Sequence, residues 1–132
     1  MYDKPLTVTY GLGNIDFGAA DDTYVVKGPA GATGVLRAIL FSTTEIFAGS
    51  TSTALFRVGT AADPDAYSEY DLGTTAADTA VEVPDSGIFE RSLPADTDVH
   101  FDIVAAVGTP TGQAQVWVVI DWNAENPRMS NG

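Results

Sequence analysis

Cysteine is absent from this chain of 132 residues, which excludes a disulfide framework and any thiolate metal site. Basic residues are scarce. Six Lys and Arg stand against 18 Asp and Glu, for a formal net charge of -12. A surface of that sign repels a free polyanion, so no direct nucleic-acid partner is expected. Histidine occurs once, at His100. No apolar run approaches the ~20 residues of a membrane helix, and no membrane association is expected. The opening residues MYDKPLTVTY put no apolar stretch behind a basic start, so the expectation is a soluble protein made in a cytoplasm without a secretory leader. The length fits one domain, able to hide roughly two thirds of its unfolded surface without staples.

Helical periodicity is also missing. Stretches such as TTAADTA are short and rich in Thr and Asp. Period-two alternation is plain instead. Along Gln113 to Trp122 one face carries Ala114, Val116, Val118, Ile120 and Trp122, and the other Gln113, Gln115, Trp117, Val119 and Asp121. Along Val99 to Val107 one face carries Val99, Phe101, Ile103, Ala105 and Val107, and the other starts polar at His100 and Asp102 and turns apolar at Val104. Further strands are expected at Leu6–Tyr10, Thr23–Lys27, Val35–Phe41, Glu45–Ala48, Thr53–Val58, Ser68–Leu72, Ala80–Val83 and Ile88–Ser92. Gly, Pro and Asp clusters divide them, among them Asp63-Pro64-Asp65, Asp85-Ser86-Gly87 and Gly108-Thr109-Pro110. Many short strands at this spacing predict an all-β antiparallel sandwich, jelly-roll-like, with an immunoglobulin-like sandwich as second choice. The chain divides into an N-terminal arm with a first strand (1–22), the sandwich (23–122) and a C-terminal tail (123–132).

No catalytic set assembles. Gly11-x-Gly13 begins like a dinucleotide fingerprint, but the third glycine position holds Asp16 and no helix pattern follows. Asp16-Phe17-Gly18 spells the kinase magnesium triplet in a chain without the other kinase motifs. Gly28 to Gly34 places glycine every third residue for two triplets, too few for a collagen helix and suited to a turn-rich loop. His100 has no nucleophile elbow to serve. Asp63, Asp65, Glu69 and Asp71 cluster at one turn, and Asp96 and Asp98 at another. Oxygen ligands of this kind suit Ca²⁺, but the EF-hand spacing is absent and Asp is a common turn residue that bonds its own backbone. No enzyme activity, metal or cofactor is therefore expected.

Candidate binding residues are of another kind. Tyr10, Ile15 and Phe17 are apolar points in a Gly- and Asp-rich N-terminal segment, a poor choice for a purely solvated tail. Arg37 and Arg57 interrupt apolar strands, as edge gatekeepers or contact anchors do. Trp117, with Val119 and Val104, makes a second apolar face that a lone sandwich leaves wet, which predicts a homo-oligomer, a trimer first. Trp117, Tyr67 and Tyr70 also supply flat rings of the kind that stack on sugars, the basis of an alternative reading as a carbohydrate-binding or fibre-tip module. A small hydrolase ranks last, for want of an acid, base and nucleophile.

The segments GVLRAILFSTTEIFAG, FRVGTAADPDAYSEYDLG, LPADTDVHFDIVAAVGTPTG and VVIDW resemble those of small tailed-phage capsid decoration, or cement, proteins of β-sandwich type. The likeness spans most of residues 33–122. It implies a virion structural protein, synthesised in the bacterial host cytoplasm, that binds the major capsid protein on the exterior of an icosahedral head. It carries over no functional residue, because no fixed ligand motif defines such a group.

Overall fold

The computed structural model describes residues 6–50 and 52–124. Through them run β1 (Leu6–Asp16), β2 (Asp22–Val26), β3 (Ala32–Ser50), β4 (Leu55–Gly59), β5 (Ser68–Asp71), β6 (Ala80–Glu82), β7 (Ser92–Leu93), β8 (Val99–Val104) and β9 (Gly108–Ala124), with a 3-10 turn at Asp85–Gly87. Every strand pairing is antiparallel. One sheet has the order β1-β9-β3-β6, with β7 also beside β3, and the second has the order β2-β8-β4-β5. The chain changes sheet at every connection except β4 to β5 and β6 to β7. Early and late strands therefore interleave in both sheets, the connectivity of a jelly roll. The expected all-β sandwich is the fold observed.

Alternation builds the core. On β9 the inward residues are Ala114, Val116, Val118, Ile120 and Trp122, each at most 2% exposed. Across the sandwich, β8 contributes Val99, Phe101 and Ile103, and β4 contributes Phe56 and Val58. Phe41 from the first sheet meets Phe56 from the second edge-on at 5.6 Å, a favoured aromatic geometry.

Two expected strands, Val35–Phe41 and Glu45–Ala48, are one strand, β3. Bulges break its alternation without ending it, at Leu36/Ala38, Thr43/Glu45 and Glu45/Ala48. The first strand runs past Tyr10 to Asp16, because a bulge between Gly11 and Gly13 absorbs an extra residue. Gly13 sits there at φ 78°, a conformation open to glycine. The expected strand at Ile88–Ser92 is reduced to a single bridge from Ile88 to Ser68 and the start of the short β7 at Ser92. Val107, expected on the inner face, is 58% exposed because β8 ends at Val104.

The glycine-spaced loop has a packing reason. A Cβ at Gly34 would stand 2.7 Å from the Trp122 ring, and one at Gly28 would strike the same ring. These two glycines make the slot that holds the indole. Of the expected C-terminal tail, Asn123 and Ala124 continue β9 and pair with Thr33 and Ala32; its remainder, like residues 1–5, lies outside the described residues.

Candidate interaction surface

The outward face of the first sheet is built by cross-strand register. Gly11, Trp117 and Leu40 form one row, Thr9, Val119 and Ala38 the next, and Thr7, Asp121 and Val35 a third. Val35, Ala38, Leu40, Trp117 and Val119 are all half-buried. Trp117 gains its place from the missing side chain at Gly11, where a Cβ would stand 3.4 Å from the indole Cδ1. The result is a shallow apolar patch across the middle strands of the sheet.

Polar groups frame the patch and bond one another. Asp121 accepts hydrogen bonds from the Thr7 hydroxyl at 2.5 Å and from Arg37 Nε at 2.5 Å. The Thr7 hydroxyl, then the Arg37 guanidinium, hold the Asp121 carboxyl below the usual carboxylate range. Arg37 is the extra residue of the Leu36/Ala38 bulge. At the other end the Asn14 amide donates to Gln113 Oε1 at 2.7 Å, and the Thr44 hydroxyl donates to Asn14 Oδ1 at 2.9 Å. Near β7, the Arg91 guanidinium donates to the Leu36 and Arg37 carbonyls and to Asp85, at 2.8, 2.9 and 2.8 Å. An apolar centre with a polar rim is the anatomy of an association surface.

The outward face of the second sheet is different. Thr23, Asp102, Arg57 and Glu69 lie side by side on four strands. The Thr23 hydroxyl donates to Asp102 Oδ1 at 2.7 Å, and Arg57 Nη2 stands 3.7 Å from Asp102 Oδ2. Arg57 Nε is buried without a hydrogen-bond partner. Arg57 thus answers the charge of Asp102, which is 8% exposed. Val104 also lies on this sheet, paired with Leu55. It is not on the face of Trp117 and Val119, against the sequence expectation, because sheet membership is not a local pattern.

The other candidates fall as follows. Phe17 is 1% exposed and packs on Phe47 at 5.6 Å. Ile15 and Tyr10 are half-buried against the core, and the Tyr10 hydroxyl accepts a hydrogen bond from Trp122 Nε1 at 2.9 Å. Phe17 has no surface left for a partner, and Tyr10 and Ile15 turn toward the core and away from the outward face of the sheet. Of the rings proposed for sugar stacking, Tyr67 is 7% exposed and Tyr70 stacks on Phe41 inside the sandwich; only Trp117 remains on the outer face. His100 is paired at its Cα with Val25 and Gly59, neither of which carries a nucleophile or an acid. Among the described residues no group of three or more His, Cys, Asp or Glu is placed to hold a metal ion. Asp63 and Asp65 do approach each other. A hydrogen bond to Asp65, then burial and the Asp65 charge, push the Asp63 carboxyl up.

A cavity of about 290 Å³ lies beside the β1–β2 turn, lined by Asp16, Asp21, Asp22, Tyr24 and Ile103 among others. Its carboxylates serve backbone N–H groups. Asp16 accepts from Gly18, Asp21 from Ala105 and Asp22 from Thr23, at 2.9, 2.7 and 2.8 Å. Asp16 does so as an Asx turn, and Asp21 ties the turn to the chain leaving β8.

Leu40, Ala38 and Val35 escape a reading from sequence, since the bulge at Arg37 shifts the phase of GVLRAILF. Trp117 and Val119 are visible as apolar members of the wetter face of their strand.

No protein-family model and no curated protein matches the sequence. Among solved structures, a chain of the cyanophage Pam1 capsid asymmetric unit is similar at a TM-score of 0.46 and 14% identity, over 95% of this chain and 89% of that one. Among the described residues no helix is long and apolar enough to cross a membrane.

Proposed function

We propose that the chain is a non-enzymatic virion protein that decorates and stabilises the exterior of a tailed-phage head, docking on the major capsid protein through the outward face of its first sheet. The observation that carries the reading is the patch of Trp117, Leu40, Val119, Ala38 and Val35, ringed by polar groups that already satisfy one another. Such a patch gains by burial and loses little by desolvation of its rim. The resemblance of the sequence segments to decoration proteins points the same way. A net charge of -12 suits the outside of a shell better than the side facing packaged nucleic acid. Decoration requires no strong single contact, because copies arrayed on one shell add weak contacts through multivalency.

The test is rebinding of purified protein to heads stripped of it, followed by sedimentation of the particles. The wild-type chain is expected to co-sediment and to raise the temperature at which heads rupture. Trp117→Glu and Leu40→Glu are expected to stay folded by circular dichroism and to remain in the supernatant. Wild-type protein that ignores heads, or both variants bound as tightly as wild type, would overturn the assignment.

A further inference from the structure

A sheet edge left open is a template for another strand, and folded proteins usually blunt it with short length, charge, proline or a bulge. Three of the edges here are blunted. β5 is Ser68–Asp71 and carries Glu69 and Asp71. β2 is Asp22–Val26, opens on Asp22 and is followed by Lys27. The edge beyond β3 is held by the short β6 and β7, with Pro84 and Pro94 close behind them. β1 is the exception. It is 11 residues long and, although Asp3, Lys4 and Pro5 precede it in the sequence, within the strand it has no proline and no charge before Asp16 at its last position. Among the described residues it pairs with β9 alone. Its bulge between Gly11 and Gly13 bends the far part of the edge and leaves Leu6–Gly11 as the pairing segment.

We infer that the Leu6–Gly11 edge of β1 pairs antiparallel with the same edge of a second copy of this chain, joining the two first sheets into one continuous sheet across a two-fold axis. The occupant follows from charge. Any two copies repel, each at -12, so a contact between them needs a surface free of charge, and β1 is the edge that provides one. A basic partner would be met better at any of the acidic edges. The segment is also self-complementary. With the axis at Val8, Thr7 faces Thr9 of the partner subunit, a favourable cross-strand pair. Leu6 then faces Tyr10 of the partner subunit. Leu6 shares its register with the inward Trp122, yet it is 54% exposed, and this pairing covers it. The inference does not depend on capsid attachment, and its test uses no particle.

Sedimentation of the full chain is expected to show a reversible dimer at high micromolar concentration. Thr9 is exposed and faces outward beside Val119, so its replacement leaves the core alone. Thr9→Glu and Thr9→Lys are each expected to weaken the dimer at least about tenfold while keeping the wild-type melting profile, since each loses the Thr–Thr pair and sets two like charges diagonally across the axis, within reach of one another. If general charge alone governed association, lysine would strengthen the dimer and glutamate weaken it; that opposite pair of signs overturns the inference. So does a wild-type chain that stays monomeric, or one that forms the trimer expected from the sequence. A nitroxide on Thr9→Cys is expected to show dipolar broadening in the dimer, because the two labelled positions are diagonal neighbours roughly 7–8 Å apart on the paired strands. A dimer without broadening also overturns the pairing.

Discussion

The indole N–H of Trp122 donates to the hydroxyl of Tyr10 at 2.9 Å, tying the last long strand to the first inside the sandwich. Both residues are otherwise packed among apolar neighbours, and the Tyr10 ring meets Phe101 edge-on at 5.9 Å. Tyr10→Phe keeps the ring and removes the only acceptor shown for the indole among the described residues. A buried donor left without its partner costs about 1–3 kcal/mol. Chemical denaturation is expected to show a loss of that size with an unchanged denaturant slope. No loss would mean that water replaces the hydroxyl.

Gly34 makes the complementary test from the other side of the same indole. Its added Cβ would stand 2.7 Å from Trp122 Cε3 and 3.2 Å from Leu93 Cβ. Neither neighbour is the free end of a flexible chain, since Trp122 is 2% and Leu93 0% exposed. Gly34→Ala is expected to destabilise by about 1–3 kcal/mol through overpacking. Gly31→Ala is a useful contrast. There a Cβ meets nothing within 4 Å, and the cost is that of φ +75° alone.

The reach and the limits of the sequence are seen in the strands themselves. The inward set of β9 is legible to the residue, because one uninterrupted period-two run crosses the centre of a sheet. Residues 108–110 read as a turn, yet β9 begins at Gly108, where pairing of Gly108 with Ser50 and of Thr111 with Ala48 holds the irregular end. Period-two reading fails wherever a bulge adds a residue. It divides β3 into two strands and hides Leu40, Ala38 and Val35 from the patch. Tyr10, Ile15 and Phe17 read as partner-seeking because glycines surround them, whereas Gly13 shapes a bulge that keeps the strand against the core. Trp117 stands out because a large aromatic on the wetter face of a strand needs a reason.

Asp121 predicts a pH dependence. Its carboxyl is held below the usual range by the Thr7 hydroxyl and the Arg37 guanidinium. The folded-state value is thus lower than the unfolded value of about 3.9. The contact contributes stability above that unfolded value and loses it as pH falls through the folded one. The stability gap between wild type and Asp121→Asn is therefore expected to hold steady from neutral pH to about pH 5 and to close below about pH 4. The gap should be small and shrink with salt, since the Arg37 side chain is 55% exposed. Urea denaturation of both proteins across this range checks it, and a gap that widens on acidification would reverse the sign.

Phe17 decides whether the N-terminal segment is an arm or part of the core. It follows the last residue of β1 and is 1% exposed against Phe47. Its N–H donates to the Gly112 carbonyl at 3.0 Å, and its carbonyl accepts from Ala106 at 2.9 Å. Phe17 is therefore tied to β9 and to the chain leaving β8, on both sides of the sandwich. A Cβ at Gly112 would stand 2.5 Å from the Phe47 ring, so the second ring is seated as tightly as the first. Phe17→Ala is expected to cost about 3–5 kcal/mol in the isolated protein. Leu6→Ala, at a residue 54% exposed, is expected to stay within about 1 kcal/mol under the same conditions. A segment that orders only on a partner gives a different result, with both substitutions nearly neutral in the isolated chain and costly only in the assembly. Equilibrium urea denaturation of the two variants separates the cases. A Phe17→Ala protein as stable as wild type would restore the arm.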